Sequence, residues 1–385
     1  MSERIEADWL AGAPASAVTR MLEEAGHQAW FVGGCVRNAL LGAPVSDLDL
    51  TTDARPERVM ELARAAGLKP VPTGIDHGTV TVVARGTPIE VTTFRRDVET
   101  DGRRATVAYS DDIAEDAARR DFTMNALYAD ARGEVVDPLG SGLADLAAHR
   151  LRFIGEAEAR IREDYLRILR FFRFHAWYGA PEGGIDADGL AACAGLAEGI
   201  EALSRERVGA EMLKLMAAPD PAPAVASMAM SGVLMRVLPG GASDPLSVLV
   251  HVEEEAGLAP DPIRRLALVG GEEVAACLRL SRAQEAGLQA LRDAMGSGWG
   301  SGELGYRLGA GRGLDVLALN AALSGREIDP VSRETMEVGA RASMPVKAAD
   351  LMPRITGPAL GEALREIEAR WIASGFALGR DALLS

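Results

Sequence analysis

Strand-forming runs are confined to the first third of this 385-residue chain, and that division constrains the fold more than any other feature. Residues 15–25 carry apolar side chains at helical spacing, Val18, Met21 and Leu22, with the turn residue Gly26 behind them. Residues 29–32 form a short apolar strand running into Gly33-Gly34, and residues 36–41 a short helix stopped by Gly42 and Pro44. Residues 47–50 alternate as a half-buried strand does, and residues 56–66 read as a helix ended by Gly67. Residues 79–84 and 88–93 flank Arg85-Gly86 in the pattern of a hairpin. Residues 95–112 are polar, charged and aperiodic, which predicts a mobile loop. After about Asp121 the strand signals fade. Residues 121–128 and 161–177 are predicted helical, and the rest reads as short helices with breaks at 178–184, 219–223 and 296–302.

This length exceeds one ordinary core, so several domains are expected. The pattern predicts an α+β chain. An N-terminal head with a small mixed β-sheet and helices (1–137) precedes an all-helical neck (138–218) and a helical body and tail (219–385).

Apolar residues make up 48% and charged residues 25% of the chain, a globular balance. The first nine residues lack a basic segment and an apolar segment, so export is not expected. No apolar run reaches membrane-spanning length; the 246–252 stretch is broken by Glu253, Glu254 and Glu255. Cys35, Cys193 and Cys277 lie far apart without metal-binding or disulfide spacing, which predicts reduced thiols and a cytoplasmic protein. The five histidines are equally scattered, so any metal is expected to be a hard ion on carboxylates, such as Mg²⁺. The net charge of −15 weighs against a nucleic-acid partner, but the charge is uneven. Between Arg150 and Arg173 seven arginines face four acids, and Arg103-Arg104 and Arg119-Arg120 form further pairs. A local basic channel on an acidic body can still bind RNA.

Two short patterns carry chemistry. A strand that turns through Gly33-Gly34 lets backbone N–H groups approach phosphates without Cβ interference, and Arg37 can add a charge-assisted contact. Asp47 and Asp49, two apart on the predicted strand, present both carboxylates on one face. Their repulsion is relieved if they hold a pair of Mg²⁺ ions that bridge nucleotide phosphates and an attacking hydroxyl. A solvated turn fits the same spacing. Glu90 can complete that metal site or act as base, or it is an exposed strand glutamate. His77 reads as a turn residue.

Gly33-Gly34-x-x-Arg37 with Asp47-x-Asp49 resembles the first motif of the class II tRNA nucleotidyltransferase and bacterial poly(A) polymerase superfamily. Arg119-Arg-Asp-Phe-Thr-Met-Asn-Ala126 is similar to its second motif. Asp137-Pro-Leu-Gly140 with Asp145-Leu146 and Leu151-Arg152 is similar to the third. Glu163-Asp-Tyr-Leu-Arg167 through Arg170 and Arg173-Phe174 resembles the fourth, and Ser204-Arg-Glu-Arg207 through Glu211 and Lys214 the fifth. The five stand in the family's order over 215 residues. Ile355-Thr-Gly-Pro358 with Gly361 resembles the family's tail more loosely, and residues 219–350 carry almost no specific signal. His149, where lysine is frequent, and Tyr165, where proline is frequent, depart from the pattern.

The resemblance implies CCA addition to tRNA, with CTP and ATP as substrates. Arg120 would contact the incoming nucleotide, with Asp121 and Asn125 organising its turn. A helix-start position, unfavourable for two arginines, favours that functional reading of Arg119-Arg120. Asp164 and Arg167 would replace a template: an acceptor and a donor match the amino group and ring nitrogen shared by cytosine and adenine. At i and i+3 they are expected to share a helix face. Arg170 and Arg173 would make nucleotide or phosphate contacts, and the helical body and tail would hold the acceptor and T arms of tRNA. No protein partner is implied. Bacterial poly(A) polymerases carry a basic-aromatic signature where this chain has Gly74-Ile-Asp-His-Gly-Thr79. CC-only relatives tend to shorten the segment intact here at 95–112, and A-only relatives stay open. A tRNA-binding protein without catalysis is disfavoured by the retained Asp47, Asp49 and Glu90. Antibiotic-modifying nucleotidyltransferases share the aspartate pattern but lack the Asp164–Arg167 region and the helical tail.

Overall fold

The computed structural model describes residues 3–97, 107–180, 183–352 and 354–385. It divides into two compact units, Met1–Leu203 with Ser231–Val233, and Ser204–Met230 with Leu234–Ser385. All nine strands among the described residues lie in the first: β1 Trp30–Val32, β2 Asp49–Thr52, β3 Lys69–Gly74, β4 Thr79–Ala84, β5 Thr87–Thr93, β6 Arg95–Asp97, β7 Val107–Tyr109, β8 Tyr128–Ala129 and β9 Val135–Val136. Seven form one mixed sheet in the order β3-β4-β5-β2-β1-β8-β9. The parallel pair β2 with β5 sets Asp49 opposite Glu90 and Leu50 opposite Val91. The hairpin β4–β5 turns at Arg85 and Gly86, both with positive φ as a two-residue hairpin turn needs. The Ala13–Glu24 and Pro56–Ala65 helices cover this part of the sheet through Val18, Leu22, Val59 and Ala63.

Four expectations are corrected here. Asp47 lies outside β2, in irregular chain, so it does not share a strand with Asp49. The segment 95–112 is not wholly loop: β6 and β7 pair with Arg95 opposite Tyr109. Its middle, with Arg103-Arg104, lies outside the described residues. Residues 121–128 do not form an α-helix but a 3₁₀ turn, Thr123–Asn125, leading into β8. Every residue from 121 to 130 is buried, so the segment has no polar face to offer solvent as a surface helix does. The predicted helix 161–177 is two helices, Ala157–Glu163 and Leu166–Tyr178, parted at Asp164 with φ −155° and ψ 106°. Asp164 Oδ1 accepts from Leu166 N–H at 3.1 Å, the local competition by which Asp interrupts helices.

The regular elements of the second unit among its described residues are helices. Buried Arg264 and Arg265 both donate to Glu253, and Arg265 also donates to the carbonyls of Met216 and Ala218, which ends the Arg205–Met216 helix in the core. The Ser301–Ser324 helix is kinked at Gly309 (φ 75°, ψ 173°) and lies backbone to backbone on Pro330–Arg341. A Cβ at Gly305 would stand 1.9 Å from the Met336 carbonyl oxygen, and one at Gly339 1.9 Å from that of Gly302. Tyr306, Trp371 and Phe376 meet edge to face and tilted in a small C-terminal core.

Candidate active site

The acids gather at the start of β2. Asp49 is half-buried, its neighbour across the parallel ladder is the exposed Glu90, and Asp47 is exposed two residues earlier. Alternation along β5 buries Ile89 and Val91 and turns Glu90 the other way, as expected. Burial, and then the charge of Glu90, push the Asp49 carboxyl up to about 6; Arg120 works against the rise and Asp47 adds to it. Negative charge is thus concentrated on hard oxygen donors faster than the protein compensates it, and that donor set fits a divalent cation such as Mg²⁺. Among the described residues no group of three His, Cys, Asp or Glu side chains stands close enough to enclose an ion unaided. Such an ion would draw further oxygens from elsewhere.

Gly33 ends β1 at φ 73°, a conformation that L side chains rarely adopt. Arg120 Nη1 and the Asn125 carbonyl oxygen lie 3.7 and 3.9 Å from where a Cβ on Gly33 would be. Arg37, in the following Gly34–Leu40 helix, does not reach into solvent. Its buried guanidinium donates to Asn125 Oδ1, to Asn38 Oδ1 and to Tyr178 Oη at 2.7 Å, and lies 3.9 Å above the Tyr178 ring. Burial lowers its pKa from the ordinary arginine value. Asn125 donates in turn to Asp121 Oδ1 at 3.1 Å, and Arg170 donates to Asp121 Oδ2 at 2.7 Å. Burial alone would raise the Asp121 carboxyl; Arg170 and the hydrogen bonds outweigh it and hold the pKa below the ordinary range.

Arg119 and Arg120 follow the Ile113–Ala118 helix, with Arg119 as its C-cap. The expected helix start is therefore wrong, and the arginines stand at the end where the helix dipole favours positive charge. Arg120 Nη2 donates to Asp116 Oδ2 at 2.9 Å and its Nε to Tyr128 Oη, while Tyr128 Oη donates to the same carboxylate oxygen at 2.9 Å. Asp116 also accepts from the Arg95 backbone N–H, so it ties β6 to Arg120.

Asp164 and Arg167 do not form the expected pair on one helix face. Arg167 donates to Glu163 and to the carbonyls of Arg160 and Arg119. Arg173 lies 4.4 Å over the Phe174 ring, which Arg37 and Arg170 also approach at 5.1 and 5.2 Å. Much of the arginine excess of residues 150–173 is spent internally: Arg152 pairs with Asp145, Arg160 with Glu163, Arg162 with Glu158 and Arg170 with Asp121.

Asp116, Tyr128 and Tyr178 were not singled out in the sequence. Asp116 is four residues before Arg120, a helical pair spacing that was available as a signal. Tyr128 and Tyr178 meet their arginines only through the tertiary fold.

Residues 29–152 match the Poly A polymerase head domain, and residues 184–244 match the domain described as a probable RNA and SrmB-binding site of polymerase A. The CCA-adding enzyme of Geobacillus thermodenitrificans is 40% identical over 225 residues, 58% of this chain and 54% of that protein. The Homo sapiens mitochondrial CCA tRNA nucleotidyltransferase 1 is 38% identical over 200 residues, 52% of this chain and 46% of that protein. The chain spans about half the length of the curated relatives it matches. Among solved structures, the Bacillus stearothermophilus CCA-adding enzyme in complex with CTP is similar with a TM-score of 0.76 at 30% identity, over 94% of this chain and 92% of that one. The Thermotoga maritima CCA-adding enzyme complexed with tRNA shares the fold, with a TM-score of 0.67 at 19% identity over 95% of this chain and 91% of that one.

Proposed function

The chain belongs to the CCA-adding tRNA nucleotidyltransferase family, and on that premise we propose that it adds or repairs the 3′-terminal CCA of tRNA. The reaction transfers CMP and AMP from CTP and ATP to the RNA 3′-hydroxyl and releases pyrophosphate. The observation that carries this reading is the ladder that sets Asp49 beside Glu90, with Arg120 close enough to offset their charge.

Asp47 and Asp49 would hold Mg²⁺, which when bound lowers the pKa of the attacking hydroxyl and neutralises charge on the leaving group. Glu90 lies next to Asp49, where it can join that ligand set or take up the hydroxyl proton. Gly33 and Gly34 keep side chains away from the triphosphate, and Arg120, anchored by Asp116 and Tyr128, directs Nη1 toward that turn. Arg37 acts on the phosphates from within the protein rather than as a solvent-facing finger. Asp164 and Arg167 select the base; for this, Arg167 exchanges its Glu163 and carbonyl partners for the ring nitrogen. Arg170 and Arg173, further along the Leu166–Tyr178 helix, would make nucleotide or phosphate contacts.

The head (1–137) carries the chemistry, the neck (138–218) the selecting residues, and the body and tail (219–385) the grip on the acceptor and T arms through shape and phosphates. No helix among the described residues is long and apolar enough to cross a membrane. With Cys35 and Cys193 buried as free thiols, a cytoplasmic site of action fits. The test is incubation with tRNA lacking its 3′ end, CTP, ATP and Mg²⁺, followed by sequencing of product ends. Ends completed to CCA are expected. Addition of A alone, or of long A tracts, would reassign the chain to the A-adding relatives, and no addition would refute catalysis.

A further inference from the structure

The Leu166–Tyr178 helix is fastened to the head at two points by one continuous chain of contacts. At one end Arg170 holds Asp121, which holds Asn125; Asn125 accepts from Arg37, and Arg37 donates to Tyr178 at the other end of the same helix. The two anchors are eight residues apart, about 12 Å of helix, which fixes both its position and its rotation about its axis. Arg37 is the unusual link. It is a buried guanidinium, and its hydrogen-bond acceptors are the neutral oxygens of Asn125, Asn38 and Tyr178, with the faces of Tyr178 and Phe174 completing its surroundings. Asp121 is the carboxylate that acts on it, through space and already bonded to Arg170, so the charge of Arg37 is only partly offset and part of its field stays available to an anion nearby. Gly34 is such a place: a Cβ there would stand 3.8 Å from Arg37 Nη2. Tyr178 supplies both a hydrogen-bond acceptor and a ring face to this cation.

We propose that Tyr178 is a positioning residue of the nucleotide site, holding the buried Arg37 guanidinium beside the Gly33-Gly34 turn and thereby strengthening the hold on the triphosphate. The proposal rests on the reading of the first unit as a nucleotidyl-transfer site. It is tested by calorimetric titration of wild type, Tyr178→Phe and Tyr178→Leu with CTP and, separately, with inorganic tripolyphosphate, alongside KM and kcat on tRNA ending in CC.

Tyr178→Leu loses ring and acceptor, so its affinity for both probes should fall about tenfold; Tyr178→Phe keeps the ring and should fall about threefold. KM for the nucleotide should rise in step while kcat at saturating nucleotide stays within about twofold. A merely structural role predicts fewer active molecules, a lower kcat and unchanged affinity per active molecule, and that pattern overturns the proposal. Weaker CTP binding with unchanged tripolyphosphate binding overturns it too, because the effect would then lie at the base. If Tyr178→Leu does not fold, the threefold step in Tyr178→Phe decides alone. Should the wild type bind CTP but add nothing to tRNA, the assigned reaction fails while the binding series still decides the role of Tyr178.

Discussion

At the residue scale, Asp49 and Asp116 show two ways of burying a carboxylate. Asp49 is raised toward neutrality by burial and Glu90, which would favour the cation proposed there, whereas Asp116 is satisfied inside the protein. Replacement of Asp49 by Ala should lower addition by more than about a thousandfold, comparable with loss of a metal from a phosphoryl-transfer centre. Binding of tRNA, measured by filter retention, should persist; near-normal turnover would remove Asp49 from the chemistry. For Asp116, burial alone would raise the carboxyl, but the charge and hydrogen bonds of Arg120 and the bond from Tyr128 hold it below its ordinary value. A depressed folded-state pKa stabilises the fold above the unfolded value of about 4, and the contribution is lost as pH falls through the folded pKa. Asp116→Asn should therefore cost about 3 kcal/mol at neutral pH, and less in acid. Its melting temperature plotted against pH should approach that of wild type below pH 4; a constant offset would contradict the linkage. Base selection is tested by four-nucleotide competition on tRNA ending in CC. Each charged hydrogen bond to a base is worth on the order of 1–3 kcal/mol, so Asp164→Ala and Arg167→Ala should each relax selectivity roughly tenfold or more. Unchanged nucleotide ratios with uniformly lower rates would make the two residues structural.

At the scale of elements, the sequence was most legible where pattern and burial agree. The hairpin at Arg85-Gly86 and the Pro56–Ala65 helix stand where periodicity and turn chemistry put them. It was least legible where one segment is buried on every side. Residues 121–130 offer no polar face whose spacing could distinguish a helix from a turn and a strand. The break at Asp164 escaped notice because flanking apolar residues keep helical spacing through a single non-helical residue. In the second unit Gly302, part of the 296–302 stretch read as a break, lies inside the Ser301–Ser324 helix and serves with Gly305 and Gly313 as contact surface. Gly339→Ala would drive a methyl group into the Gly302 carbonyl and should destabilise the second unit by about 1–3 kcal/mol. Hydrogen exchange over residues 301–341 should quicken, while CTP affinity stays that of wild type. Unaltered exchange would mean that the two helices separate without cost.

At the scale of the whole molecule, a net charge of −15 belongs to a chain assigned an RNA partner. Several arginines of residues 150–173 are already paired with acids, so a smaller basic surface is left for the proposed RNA partner than residue counts suggest. Association with tRNA should still weaken with salt, with a log–log slope of several units, and a flat plot would argue against phosphate contacts. The Gly33 turn was legible because it is tied to local chain geometry, a positive φ that only glycine adopts readily. Partners that meet only through the tertiary fold, such as Tyr178 with Arg37, 141 residues apart, carry no local mark. The ladder joining Asp49 to Glu90 also bears on how such a chain tolerates evolutionary drift. The separation of the two backbones that carry those carboxylates is set by main-chain hydrogen bonds between strands about 4.8 Å apart, which every amino acid except proline can donate. Neighbouring side chains are therefore free to be exchanged over generations, provided the inward residues stay apolar, and ancestry can fade from the letters long before it fades from the spacing.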